Sequence, residues 1–149
     1  MSIHRGSSYH EGSVTIGAPS AAHTLLFLRT DAWLATAPAR DDVYYFVIYE
    51  EQRPVGHILL HDMVPATGEA LIAYAVADPA DRGRGLGTKA LGLLQRFVRE
   101  ATKVQRLIII TSRDNAASQR IAVKCGFRHT GAPREDPLNG VLFEWVVQR

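Results

Sequence analysis

Cysteine is almost absent from this chain: Cys125 is the only one in 149 residues. An internal disulfide is therefore excluded, and the composition suits a reducing, cytoplasmic setting. Long apolar runs are missing too. No segment approaches the ~18 residues of a membrane span. Met1 to Ser20 lacks the charged and apolar stretches of a secretory leader. No membrane partner is expected. The six histidines show no metal-ligand spacing. His57 and His61 are four apart, but in a strand that puts them about 13 Å apart on one face, so no metal is expected. Aromatic residues are not interleaved with the basic ones, which removes the stacking platform a nucleic-acid partner would want. Repeats and long linkers are also lacking. Residues 1–149 read as one domain, and the 46% hydrophobic content is enough for a core.

What is present is unevenly placed. The net charge is only +2, yet residues 1–81 carry four basic and ten acidic side chains, a balance of −6. Residues 82–128 carry eleven basic against two acidic, or +9, and residues 129–149 return to −1. A basic centre of this kind suits a small polyanionic ligand.

That centre begins in a glycine-rich stretch, Asp78-Pro79-Ala80-Asp81-Arg82-Gly83-Arg84-Gly85-Leu86-Gly87-Thr88. Glycine at every second position lets backbone N–H groups approach a ligand closely. A helix starting directly behind adds orphan donors and the positive end of its dipole. Arg82, Arg84 and Lys89 add full charges, which together make a phosphate cradle. A P-loop would need Gly-Lys-Ser/Thr after four residues, and here Thr88-Lys89 stands in the wrong order. A dinucleotide fingerprint wants a tight strand-to-loop turn and an acid about 20 residues on. The chain has neither.

The remaining elements follow from periodicity. One or two helices are expected over Ala18 to Thr36, a hairpin from Val43–Tyr49 and Val55–His61, and a strand over Glu69 to Ala77. Apolar residues Leu86, Ala90, Leu93, Leu94, Phe97 and Ala101 predict a helix from Leu86 to Lys103. Leu107 to Ile110 is a continuous apolar run, of the kind buried on both faces. Asp114 or Asn115 caps a helix ended by Gly126, and strands follow from Phe127 and over Val141 to Val147. The fold class is α/β, with a mixed sheet of about six to seven strands flanked by about four helices.

Arg82-x-x-Gly85-x-Gly87 resembles the pyrophosphate loop of the GNAT superfamily of acetyl-CoA-dependent N-acetyltransferases. Asn115-x-x-Ser118-x-Arg120-Ile121-x-x-Lys124-x-Gly126-Phe127 is similar to the closing motif of its ribosomal-protein N-acetyltransferase branch. The resemblance implies a single GNAT domain that transfers an acetyl group from acetyl-CoA to a primary amine of a peptide or small molecule, by direct attack in a ternary complex. It implies main-chain contacts from Val76 and Ala77 to the pantetheine arm, and a pyrophosphate held by Arg82, Gly83, Arg84, Gly85, Leu86, Gly87 and Thr88. Asn115 would touch the cofactor, and Ser118 would donate to the departing thiolate. Many GNAT enzymes place a tyrosine acid one turn later, where this chain has Ala122. On helix grammar alone, Ser118 could equally bond its own backbone.

The general base is open. Glu69 and His61 are candidates beside a water chain, while the position where relatives often carry a carboxylate holds Ile72. Tyr74 fits the site or the core. Asp31, Asp41, Asp42, Glu135 and Asp136 are expected in loops that could attract a cationic amine. Phe143 and Trp145 suit either a homodimer contact or an inner sheet face. A CoA-binding regulatory module without catalysis is the alternative to an enzyme.

Overall fold

The computed structural model describes residues 8–19 and 42–149. The helices expected over Ala18 to Thr36 fall almost wholly outside the described residues, as do Asp31 and Asp41.

Eight strands form one sheet: β1 (Tyr9–Glu11), β2 (Val14–Gly17), β3 (Tyr44–Glu50), β4 (Arg53–Val64), β5 (Glu69–Val76), β6 (Arg106–Ser112), β7 (Arg128–Gly131) and β8 (Gly140–Val146). Their spatial order is β1-β2-β3-β4-β5-β6-β8-β7. Two α-helices lie among the described residues, α1 (Leu86–Ala101) and α2 (Ala116–Lys124). The expected six to seven strands are therefore too few. The hairpin β1–β2 has only three and four residues per strand, too short to show an alternation. It is held because Val14 and Ile16 bury completely.

All neighbouring strands run antiparallel except β5 and β6, which are parallel and joined through α1. Helix α1 forms because its apolar residues recur on one face. Leu86, Ala90, Leu91, Leu93, Leu94, Phe97 and Val98 are all buried against the sheet. Phe97 meets Tyr9, Tyr44 and Phe46 edge-on, with ring centroids 5.8, 5.3 and 4.9 Å away, the arrangement aromatic quadrupoles favour. At its C-terminus, Arg149 donates to the carbonyls of Val98, Thr102 and Val104, where a cation complements the helix dipole.

The apolar run of β6 is not buried on both faces. Leu107 and Ile109 face the described helices and are sealed, whereas Ile110, on the opposite face of the strand, is 43% exposed. Phe143 and Trp145 likewise belong to the inner face. Phe143 is buried, and Trp145 packs against the core and stacks on Phe127. No helix among the described residues is long and apolar enough to cross a membrane.

The feature that positions the site is a parting of two strands. The β5–β6 ladder ends at Ile72↔Ile109. Beyond it β5 continues against β4 as far as Val76, and β6 continues against β8 as far as Ser112. The two strands diverge, leaving a wedge between their C-terminal ends. Both helices begin at this end of the sheet.

Candidate active site

Between β5 and α1 the loop is built by local chemistry. The Asp78 side chain accepts from the Ala80 N–H at 2.9 Å, and a short 3₁₀ turn spans Pro79–Asp81. Gly85 then takes φ 82 and serves as the N-cap of α1 without any side-chain cap bond. A left-handed φ of this kind is cheap only for glycine. The first N–H groups of α1 are therefore open toward the loop. A Cβ at Gly83 or Gly85 would meet nothing within 4 Å, so the cradle is not walled in by side chains. Gly87 has a different reason: a Cβ there would come within 2.9 Å of Ile121 Cδ1. It is the point at which α1 and α2 approach.

The loop arginines divide their work. Arg84 forks onto Glu50, with Nη1 and Nη2 each 2.8 Å from a carboxylate oxygen, and also donates to Asp81 at 2.9 Å. Arg53 grips both Asp81 oxygens at 3.0 Å and reaches Glu50 at 3.1 Å. Asp81 is buried. The Arg53 guanidinium holds its carboxyl below the usual range, as Arg84 does for Glu50. Arg84, expected as a phosphate ligand, is thus a strut that ties the loop to the β3–β4 turn. Its charge faces two carboxylates.

Arg82 lies differently. Its Nε and Nη2 donate to the Val76 carbonyl at 3.2 and 3.1 Å, leaving donors to spare. The Ala77 N–H is committed to the Val55 carbonyl of β4 at 2.9 Å. Backbone groups alternate in direction along a strand, so those of Val76 face the opposite edge, into the wedge.

Across that wedge stands α2. Asn115 is its N-cap, accepting from the Ser118 N–H at 3.0 Å. Ser118 is half-buried, and its hydroxyl lies 2.8 Å from the Tyr74 hydroxyl of β5. Tyr74 is the site residue that the pattern of the sequence left between core and cleft. Only the pairing of β5 with α2 brings it to Ser118. Burial pushes its phenol above the ordinary tyrosine value, with the Ser118 bond opposing. Cys125 is a part-buried thiol donating to the Thr88 carbonyl at 3.4 Å, pushed up to about 11 by burial.

The two candidate bases are not gathered here. Glu69 starts β5, seven residues or about 23 Å from Val76, and pairs with Arg106 at 3.3 Å. His61 sits opposite Leu71, about 16 Å along the strand from Val76, with Nδ1 2.8 Å from Asp62. Another imidazole is nearer. His57 pairs with Ala75, the residue before Val76, and its ring is buried beside Tyr45. A sequence reading that paired the β4–β5 hairpin residue by residue could have found it. Glu135 and Asp136 are exposed in the β7–β8 loop, where Asp136 accepts from the Asn139 N–H.

These elements match known proteins. The acetyltransferase (GNAT) domain family matches residues 16–128, and the chain belongs to that family. Probable N-acetyltransferase YjcK of Bacillus subtilis (strain 168) is 29% identical over 106 residues, covering 68% of this chain. The chain spans 58% of the length of that relative. Among solved structures, the ribosomal-protein-S5-alanine acetyltransferase of Vibrio fischeri superposes with a TM-score of 0.78 at 12% identity, covering 95% of this chain and 97% of that one. The Microcin C7 self-immunity acetyltransferase MccE, solved with acetyl-CoA and AMP, gives 0.74 at 15% identity, covering 92% and 94%. At these identities the structures establish a shared fold.

The residues present fit coenzyme A. An uncapped helix start, an open glycine loop and the spare donors of Arg82 suit a pyrophosphate. The Val76 edge, which has no neighbouring strand on the β6 side, suits an amide-bearing arm.

Proposed function

We propose that this chain transfers the acetyl group of acetyl-CoA to a primary amine by direct attack in a ternary complex. The observation that carries the reading is the wedge beyond Ile72↔Ile109, onto which the Val76 edge, the Ser118 hydroxyl and the open start of α1 all converge.

Acetyl-CoA supplies an activated acyl carbonyl when bound; the chain supplies position and protons. Backbone N–H groups from Gly83 to Thr88 and the Arg82 side chain hold the pyrophosphate, while Arg84 holds the loop. The Val76 main chain lines the pantetheine, with its N–H directed to the developing oxyanion. Ala77, its N–H already spent on Val55, would add only its carbonyl. Asn115 keeps its amide NH₂ for the cofactor while its oxygen caps α2. Ser118 donates to the leaving sulfur.

A primary amine is mostly protonated at neutral pH, so a base must take a proton before attack. His57 is the imidazole nearest Val76 in register, but its ring packs beside Tyr45 on the sheet face opposite Tyr74 and Ser118, so it too would act only through waters. Glu69 and His61 would act only through a chain of waters. Glu135 and Asp136 draw a cationic acceptor to the open side, whether a protein N-terminus, an amino acid or a small amine. A homodimer through the last strands would use Leu142 and Val146, because Phe143 and Trp145 face the core.

The test is amine-dependent release of free thiol from acetyl-CoA across a panel of amines and N-terminal peptides. At least one acceptor should be turned over, and Ser118→Ala should lower kcat by about a hundredfold while CoA still binds. Absence of CoA binding would overturn the reading. The Arg82 bonds to the Val76 carbonyl favour one second reading, a CoA-binding module without catalysis. Retained binding with no turnover for any amine would select it.

A further inference from the structure

Along β5, alternate residues turn toward the helices. Ala70 and Ile72 do so inside the core, and Tyr74 does so at the wedge. Its hydroxyl has two neighbours on α2: Ser118 Oγ at 2.8 Å and the Ser118 carbonyl at 3.2 Å. We propose that Tyr74 is a positioning residue that sets the direction in which Ser118 donates its hydroxyl hydrogen. The proposal rests on the reading of Ser118 as donor to the departing sulfur.

The reasoning is a count of hydrogens. A phenol has one hydrogen, a serine hydroxyl has one, and a carbonyl only accepts. If the phenol donates to the carbonyl, Ser118 is left to donate back to the phenol oxygen, and its hydrogen is spent. If the phenol donates to Ser118 Oγ, the serine hydrogen is released toward the wedge. The carbonyl can give up the phenol without being stranded, since the helix itself supplies it a partner four residues on. A negatively charged sulfur in the wedge selects the second arrangement, because a charge-assisted hydrogen bond outweighs a neutral one. Burial keeps the phenol protonated and so able to donate. Ala122, one turn further along α2, has no side chain that could do this, and the hydroxyl comes from the facing strand instead.

Neither residue gains or loses a proton. As the carbon–sulfur bond breaks its electron pair leaves with sulfur, which receives the Ser118 hydrogen bond, while the Tyr74 hydrogen bond satisfies Ser118 Oγ. The proton that later completes the thiol is the one removed from the amine.

A phenol that merely fastens α2 to β5 would look similar, so the test must see sulfur. The wild-type chain, Tyr74→Phe, Ser118→Ala and the double variant are titrated calorimetrically with CoA and with desulfo-CoA at pH 9, where more of the thiol is ionised than at neutral pH. The wild-type chain should prefer CoA by about tenfold. Each variant should lose that preference with desulfo-CoA affinity held within about twofold, and the double variant should lose no more than Ser118→Ala alone. In turnover, Tyr74→Phe should lower kcat about tenfold and leave KM for acetyl-CoA in place. A Tyr74→Phe chain that keeps the preference while Ser118→Ala loses it overturns the role of Tyr74 and leaves that of Ser118 standing. If neither variant changes the preference, the reading of Ser118 itself falls. A Tyr74→Phe chain that binds both ligands equally poorly shows the phenol to be a structural fastening, which also overturns the proposal.

Discussion

Asp81 shows how much of the glycine loop is decided by one side chain. Its carboxylate is buried yet meets three guanidinium contacts from Arg53 and Arg84, and these lower its proton affinity. A carboxyl whose folded value is depressed stabilises the fold above its unfolded value, near 3.9. That contribution is lost as pH falls through the lower, folded value. The difference in thermal midpoint between the wild-type chain and Asp81→Asn should hold from pH 8 to about pH 5 and shrink toward zero below about pH 4. A difference that grew on acidification would show the ion pairs to be irrelevant. Cys125 is the opposite case. Burial pushes its thiol to about 11, so at neutral pH it is a small part-buried hydrophobe that donates weakly to Thr88.

At the scale of the element, α1 and α2 must approach closely for both to open on one wedge, and Gly87 is where they do. Gly87→Ala would place a Cβ 2.9 Å from Ile121 Cδ1. Such overpacking should destabilise by about 1–2 kcal/mol, measured by chemical denaturation. Ile121→Val in the same chain should return part of that loss, since it removes the clashing methyl. Failure of the second substitution to restore anything would place the strain elsewhere.

The glycine loop, the α1 stripe and the Asn115–Ser118 spacing were legible because each is local: the periodicity or the turn chemistry lies within one segment. What was not legible depended on pairing between distant segments. Arg84 reads as a phosphate ligand because its partner Glu50 lies 34 residues away and is brought to it only by the sheet. Tyr74 could be assigned to neither core nor cleft until α2 was placed across from it. Ile110 sits in an unbroken apolar run, and nothing in that run reports which face the helices cover. His61 and Glu69 are candidate bases by their chemistry alone, and the register of β4 and β5 sets them away from the wedge.

At the scale of the whole molecule, the described residues form a mixed sheet in which β5 and β6 part beyond Ile72↔Ile109. The first 81 residues of the chain are acidic and residues 82–128 basic, and the boundary falls at Arg82, on the loop where the wedge begins. Charge, strand separation and helix starts therefore coincide at one end of the sheet, and the proposed acetyl-CoA site rests on that coincidence. The fold is anchored away from this point, where Phe97 seats α1 among Tyr9, Tyr44 and Phe46.

Hydrogen exchange with and without CoA tests that placement most directly. Saturating CoA should slow exchange at the backbone amides of residues 83–88 and at Val76, and should leave the amides of His61 and Glu69 unchanged. Protection absent from the glycine loop, or confined to the opposite ends of β4 and β5, would contradict the assignment of the wedge as the acetyl-CoA site.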